Sequence, residues 1–197
     1  ATLEPWPDLV ERMVLYDLRG HGESSGPSRV GIGEEDDLAA LLDELGPGPF
    51  VLVGRSLGGG IAWRQAARDE RVAGLLLLAP VLDLRDATRR RLVRAGYPTW
   101  PIVPLAFAWL RLRGLSVAES PAGRAVAAPV LVVTGADDEI TPPATTASCA
   151  SAGPHIERVL IVGAGHADLE TVDPDRLDGA IRSFVDRVRA GVGDGSG

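Results

Sequence analysis

Four stretches of this chain are apolar without interruption: FVLVG (50–54), AGLLLLAP (73–80), PVLVVTG (129–135) and ERVLIVG (157–163). Alternation of apolar and polar residues marks a strand with one wet face, whereas unbroken apolarity marks a strand covered on both. A fifth run, MVLYDL (13–18), has strand composition and enters the Gly/Ser/Pro-rich loop RGHGESSGPSRVGIG. Between these runs the period changes to that of a helix. Leu38, Leu41, Leu42 and Leu45 recur at helical spacing within EEDDLAALLDELG (34–46), where four acids open the segment and Gly46 closes it. Residues 57–69 suit a second helix. A last helix has Asp173 as N-cap and Pro174 at its first position, with Leu177, Ile181, Phe184, Val185 and Val188 as its stripe. GVGDGSG (191–197) reads as a loose tail. Strands that alternate with helices and are themselves apolar throughout predict an α/β fold, a parallel sheet with helices on both faces. Residues 81–128 break the rhythm and read as a small lid inserted above that sheet, within a single domain.

Composition narrows the partners. The chain has 197 residues, enough for one full-sized core, and a net charge of −7, which repels phosphate backbones and argues against nucleic acid. Its one cysteine, Cys149, forms no internal disulfide and points to a reducing, cytoplasmic setting. Cys149 reads as a buried filler in a small-residue helix. Every basic residue is arginine, so lysine Schiff-base chemistry is excluded. The longest apolar stretch, YPTWPIVPLAFAWL (97–110), is too short to span a membrane and holds three prolines, so no stable membrane insertion is expected.

Ligands in open α/β sheets bind at the carboxyl ends of the strands. The residues that follow each strand there are reactive. After 50–54 comes Gly54-Arg55-Ser56-Leu57-Gly58, a G-x-S-x-G turn between strand and helix. Small residues on either side of such a serine permit a sharp bend that exposes the hydroxyl. The helix that follows aims its first N–H groups, Leu57 foremost, at any developing anion. A serine needs a base, and a base needs an orienting group. His166 follows the last strand in VGAGHADLE, and Asp137, Asp138 and Glu139 follow the strand 129–135 in TGADDEITPP. His155 sits at the opposite end of the sheet and does not suit the role, whereas His21, after the run 13–18 and next to two serines, stays a candidate on position alone. Asp83, just after the strand 73–80, is another possible acid position but reads better as the cap of a helix rich in arginine (Arg85, Arg89, Arg90, Arg91, Arg94), a run that is more often a solvated face than a binding one.

With these residues in place the chain resembles the α/β-hydrolase superfamily over nearly its whole length. GRSLGG resembles the family's nucleophile elbow, PVLVVTGADDEITPP its G-x-x-D-x-x-x-P acid loop and GAGHADL its histidine loop. The order Ser, acid, His is the family's. GRSLGG and the compact insertion are most similar to small serine esterases and prolyl-oligopeptidase-like hydrolases. The resemblance implies Ser56 as nucleophile, His166 as base, Asp138 as the acid and Leu57 N–H as oxyanion donor. The implied substrate is a small-molecule ester or amide, cleaved with no metal and no cofactor. Arg55 is a candidate for a substrate carboxylate or a structural ion pair. Trp100, Phe107 and Trp109 are candidates for an apolar acyl pocket or for lid packing. A peptidase, another reaction on the same three residues, such as perhydrolysis, and a non-catalytic binder stay open beside the esterase.

The resemblance also sets an expectation for the N-terminal side. Three strands precede the family's counterpart of 13–18, and the loop after the third, often H-G-x, supplies a second oxyanion donor. Twelve residues precede 13–18 here, and TLEPWPDLVERM looks like the tail of the helix after that loop. The chain is therefore expected to enter the fold about 40–60 residues late, with a gap or an intruding strand between 13–18 and 50–54, and a feeble or inactive chain stays open as an alternative beside the hydrolase.

Overall fold

The computed structural model describes residues 6–115, 125–147, 149 and 155–194. Four strands, β1 (Phe50–Arg55), β2 (Val72–Leu78), β3 (Val130–Gly135) and β4 (Ile156–Ile161), form one sheet in the order β1-β2-β3-β4. Every pairing is parallel, with Leu52 opposite Leu75, Leu76 opposite Leu131 and Val132 opposite Arg158. The helices are α1 (Glu35–Leu45), α2 (Leu57–Ala66), α3 (Leu84–Arg94), α4 (Ile102–Leu112), α5 (Pro143–Ala147), α6 (Leu169–Val172) and α7 (Pro174–Asp194).

The sheet divides the core in two. On one side Leu38 and Leu42 of α1 and Ile61 and Trp63 of α2 pack on Leu52, Leu75, Leu77 and Val132. On the other, Leu177, Ile181, Phe184, Val185 and Val188 of α7 pack on Leu76, Leu78, Leu131 and Val133. Each central strand thus sends alternate residues into different cores, the physical content of its unbroken apolarity. β2 and β3 are covered along almost their whole length.

Several expectations need correction. The run 13–18 is not a strand: it pairs with no strand among the described residues, and Met13, Val14, Leu15 and Tyr16 are exposed, Leu15 at 71%. A lone extended segment has no ladder to satisfy its backbone, so composition alone could not make it a strand. β1 is likewise less covered than its sequence implied. It is an edge strand among the described residues, and α7 packs on β2, β3 and β4, which leaves Val53 exposed. The segment expected to be a helix tail before residue 13 contains only a 3-10 turn, Pro7–Leu9, with residues 2–5 outside the described part. The tail expected from residue 191 instead continues α7 to Asp194. The helix expected to run to residue 69 ends at Ala66. Cys149 is fully buried in the α1/α2 core, as expected, although α5 ends at Ala147. Burial pushes its thiol up to about 11, against the pull of Arg158.

The insertion is helical where it is described. α3 and α4 pack against each other, and residues 116–124 of the expected lid lie outside the described part. Asp83 caps α3 by accepting from Asp86 N at 2.9 Å. The arginines partly pair locally: Arg89 and Arg90 with Asp86, and Arg94 with Glu139 at 3.8 Å. Phe107 is buried, with the Arg85 guanidinium 4.5 Å above its ring.

Candidate active site

The turn after β1 brings Ser56 into an unusual conformation, φ 48° and ψ −115°. A non-glycine residue holds such a backbone only where its surroundings enforce it. Here the surroundings are hydrogen bonds: Ser56 N donates to Leu78 O at 2.9 Å, and Ser56 O accepts from Gly59 N at 3.0 Å and Val81 N at 2.8 Å. The elbow is pinned to the end of β2. A Cβ on Gly54 would sit 2.5 Å from Gly58 O, so this glycine is demanded by close approach. The second glycine of the motif is different, because a Cβ at Gly58 would meet nothing. The close packing falls instead on Gly59, whose Cβ would lie 2.6 Å from Pro80 Cβ. The expectation that residues 54 and 58 both relieve the bend is thus half corrected.

Ser56 Oγ lies 2.9 Å from His166 Nε2, and His166 Nδ1 lies 2.9 Å from Asp138 Oδ2. Three strand ends contribute one residue each. Asp138 is 2% exposed, and its Oδ1 accepts from Ile140 N and Thr141 N, both at 2.8 Å. Its Oδ2 accepts from Thr141 Oγ1 at 2.6 Å as well as from His166. Burial by itself raises this carboxyl; the hydrogen bonds from His166 and from the Thr141 hydroxyl and amide outweigh it and hold the group down to about 2. An ionised Asp138 only accepts, so Nδ1 carries the imidazole proton and Nε2 is left to accept from Ser56. Asp137, one residue earlier, is exposed and donates its backbone N–H to Ala164 O at 2.9 Å.

The acid and histidine loops are held backbone to backbone. A Cβ on Gly135 would overlap the carbonyl oxygens of Ala164 and Gly165, which gives the first glycine of the G-x-x-D pattern its reason. Gly165 N in turn donates to Asp168 Oδ1 at 2.6 Å. Arg55 pairs with Glu170, just beyond the histidine loop, each about 30% exposed. Its guanidinium ties the elbow to the loop that carries His166.

Leu57 opens α2, where a backbone N–H has no intrahelical partner. Beside it lies a cavity of about 320 Å³ lined by residues that include Arg29, Gly31, Glu35, Leu57, Arg64 and Val81. Trp100, Phe107 and Trp109 do not line it. One wall is the loop 29–33. It is fastened by Glu34, fully buried, whose carboxylate accepts from Arg29 N at 2.9 Å and Gly31 N at 2.7 Å. Glu35 pairs with Arg64 at 3.1 Å, Asp36 with Arg68 at 2.8 Å, and Asp37 with Arg19. The four acids that read as a dipole-matched helix start are therefore also four specific partners. His21 Nδ1 lies 3.1 Å from Arg19 O in an exposed turn, and His155 contributes a carbonyl to Val130 N at 2.9 Å. The histidine hydrogen-bonded to Ser56 Oγ is His166.

Sequence reasoning missed Thr141 and Glu34. The acid-loop run TGADDEITPP contains Thr141, but a threonine three residues after an aspartate signals only a turn until the fold shows which carboxylate it meets. Among the described residues, no His, Cys, Asp and Glu cluster is arranged to hold a metal ion.

Comparison with known proteins agrees with this architecture. The chain is 44% identical to the lipase LipV of Mycobacterium tuberculosis over 81 residues, which are 40% of this chain and 31% of that one. It is 29% identical over 182 residues to an uncharacterized protein of the same organism, covering 88% of this chain and 59% of the other. The chain therefore spans less than two thirds of the length of either relative. Among solved structures, a thermophilic esterase from Thermogutta terrifontis is similar with a TM-score of 0.58 and 28% identity, over 87% of this chain and 78% of that one. A family model described as the alpha/beta hydrolase family matches residues 4–180, a range that takes in the elbow, the acid loop and the histidine loop. With the parallel sheet and three loops at its strand ends as the fold requires, this chain belongs to the alpha/beta hydrolase family.

Proposed function

We propose that the protein is a serine hydrolase that cleaves a carboxylic ester, or an amide, through an acyl-enzyme. The observation that carries this reading is the hydrogen-bonded line Ser56 Oγ, His166 Nε2, His166 Nδ1, Asp138 Oδ2, with 2.9 Å at each contact. Ser56 Oγ attacks the carbonyl carbon as its proton passes to His166 Nε2. Asp138, kept ionised by its four donors, fixes the imidazole tautomer and stabilises the imidazolium. The charge that develops on the carbonyl oxygen is met by Leu57 N–H at the start of α2. His166 returns the proton to the departing alcohol or amine. Water then repeats the sequence on the acyl-enzyme and frees the acid. The similarity to a lipase and to an esterase supports the ester over the amide.

A fluorophosphonate probe tests the reading directly, because it phosphonylates only an activated serine. Labelling at Ser56, lost in Ser56→Ala and His166→Ala, is expected, together with release of p-nitrophenol from short-chain p-nitrophenyl esters. Absence of labelling on folded protein refutes the proposal in favour of a non-catalytic binder.

A further inference from the structure

The lid carries a surface that the hydrolase reading does not use. Along α4, Ile102, Leu105, Trp109 and Leu112 are all exposed, at 39%, 63%, 56% and 86%. At about 100° per residue these four fall within roughly 80° of one another around the helix. Val103 and Phe107, on the other side, are the buried ones. So α4 is apolar on two faces and covers only one. Trp100 and Tyr97, in the turn before it, are exposed too, as is Val93 of α3. Large apolar surfaces left open in this way mark places of interaction.

Charge identifies the occupant. Between Leu84 and Leu115 the chain has seven arginines against one aspartate, a surplus of six positive charges in a chain whose net charge is −7. Arg91 and Arg94 of α3 and Arg111 of α4 are exposed, and Arg113, exposed in the turn after α4, stands 5.0 Å over the Trp109 ring of the apolar stripe. Two such faces brought together would repel, which disfavours a symmetric pairing of copies. Aromatic and aliphatic side chains fringed by arginine match an interface that is apolar within and anionic at its surface. Tryptophan rings settle at the headgroup level of a bilayer. No described helix is long and apolar enough to cross a membrane, so the contact is peripheral.

We propose that the exposed face of α4, with the turn at Trp100 and the arginines around it, docks the protein on the surface of an anionic phospholipid bilayer. The lid borders the chemistry. Arg94 reaches Glu139, next to Asp138, and Leu84, Gly114 and Leu115 line the cavity beside Leu57. Docking here brings the site to the surface without requiring that lipid be the substrate, so the proposal stands apart from the esterase reading.

The test is sedimentation with vesicles, read without activity. Protein is expected to pellet with vesicles of phosphatidylcholine mixed with phosphatidylserine, not with phosphatidylcholine alone, and to be released by salt. Arg113→Gln, which removes the charge beside Trp109, should weaken partitioning roughly fivefold. Leu105→Ser with Leu112→Ser should abolish it while leaving the far-UV spectrum intact, since both side chains face solvent. Trp100 and Trp109 are exposed whereas Trp6 and Trp63 are buried, so a blue shift of fluorescence on anionic vesicles reports this face. Equal binding to both vesicles, or no binding at all, overturns the proposal. So does concentration-dependent self-association that the serine substitutions remove, which would give the face to a second copy.

Discussion

Replacing Thr141 with valine keeps the shape of a buried side chain and removes one hydroxyl. That hydroxyl donates to Asp138 Oδ2 at 2.6 Å and lies 3.2 Å from His166 Nδ1. Asp138 has four donors in wild type; the variant leaves it three, with a methyl group against an oxygen that water does not reach. A hydrogen bond to a charged group contributes about 1.5–3 kcal/mol, and that is the expected loss of stability at neutral pH. Linkage gives the pH dependence. The folded carboxyl sits at about 2, below an ordinary aspartate, so its stabilisation is complete above pH ~4 and is lost as pH falls through ~2. With one donor gone the folded value rises toward the ordinary one. The gap between wild type and Thr141→Val should therefore be full at pH 7 and narrow steadily from pH ~4 toward ~2. Urea unfolding at a series of pH values measures it. Under the proposed serine-hydrolase mechanism Thr141 is a positioning residue, and its loss should fall on kcat rather than KM, by roughly 10- to 150-fold if the whole bond is lost in the transition state. Thr141→Ser, which keeps the hydroxyl, should show little of either effect. A destabilisation that is the same at pH 7 and pH 3 would mean that lost packing, not the Asp138 bond, is responsible, and would refute this reasoning.

Two further expectations concern neighbours of the site. Asp138→Asn should remove nearly all of the proposed ester hydrolysis, whereas Asp137→Asn, altering an exposed side chain, should leave kcat/KM within about twofold and stability within ~0.5 kcal/mol. Glu34→Gln leaves one acceptor oxygen for two donors, the part-buried Arg29 N and the buried Gly31 N. It should cost about 1–3 kcal/mol in thermal or urea unfolding and speed amide hydrogen exchange in residues 29–33. Unchanged exchange there would show that the loop is held by something other than this carboxylate.

The α/β class, the four paired strands, the stripe of α7 and the order of serine, acid and histidine were legible in the sequence. Each is written locally, as an apolar run, a helical period or a glycine-marked turn at a strand end. Preferring Asp138 to Asp137 needed the family's spacing; in the structure Asp138 is enclosed by four donors, His166 among them, and Asp137 faces solvent. What local pattern does not hold is the identity of a partner far along the chain. MVLYDL has strand composition, but a strand exists only where a neighbour takes up its hydrogen bonds. Arg55 could have met a substrate or an ion pair, and only the approach of α6 made Glu170 its partner. Trp109 and Phe107, two residues apart on one helix, have the same apolar character in sequence; the turn of α4 against α3 buries one and exposes the other. The sequence by itself determined which elements form and which reactive residues follow them. The tertiary structure decided which faces are covered and which polar groups meet, because burial and hydrogen bonding are properties of contacts between segments, and no single segment contains them.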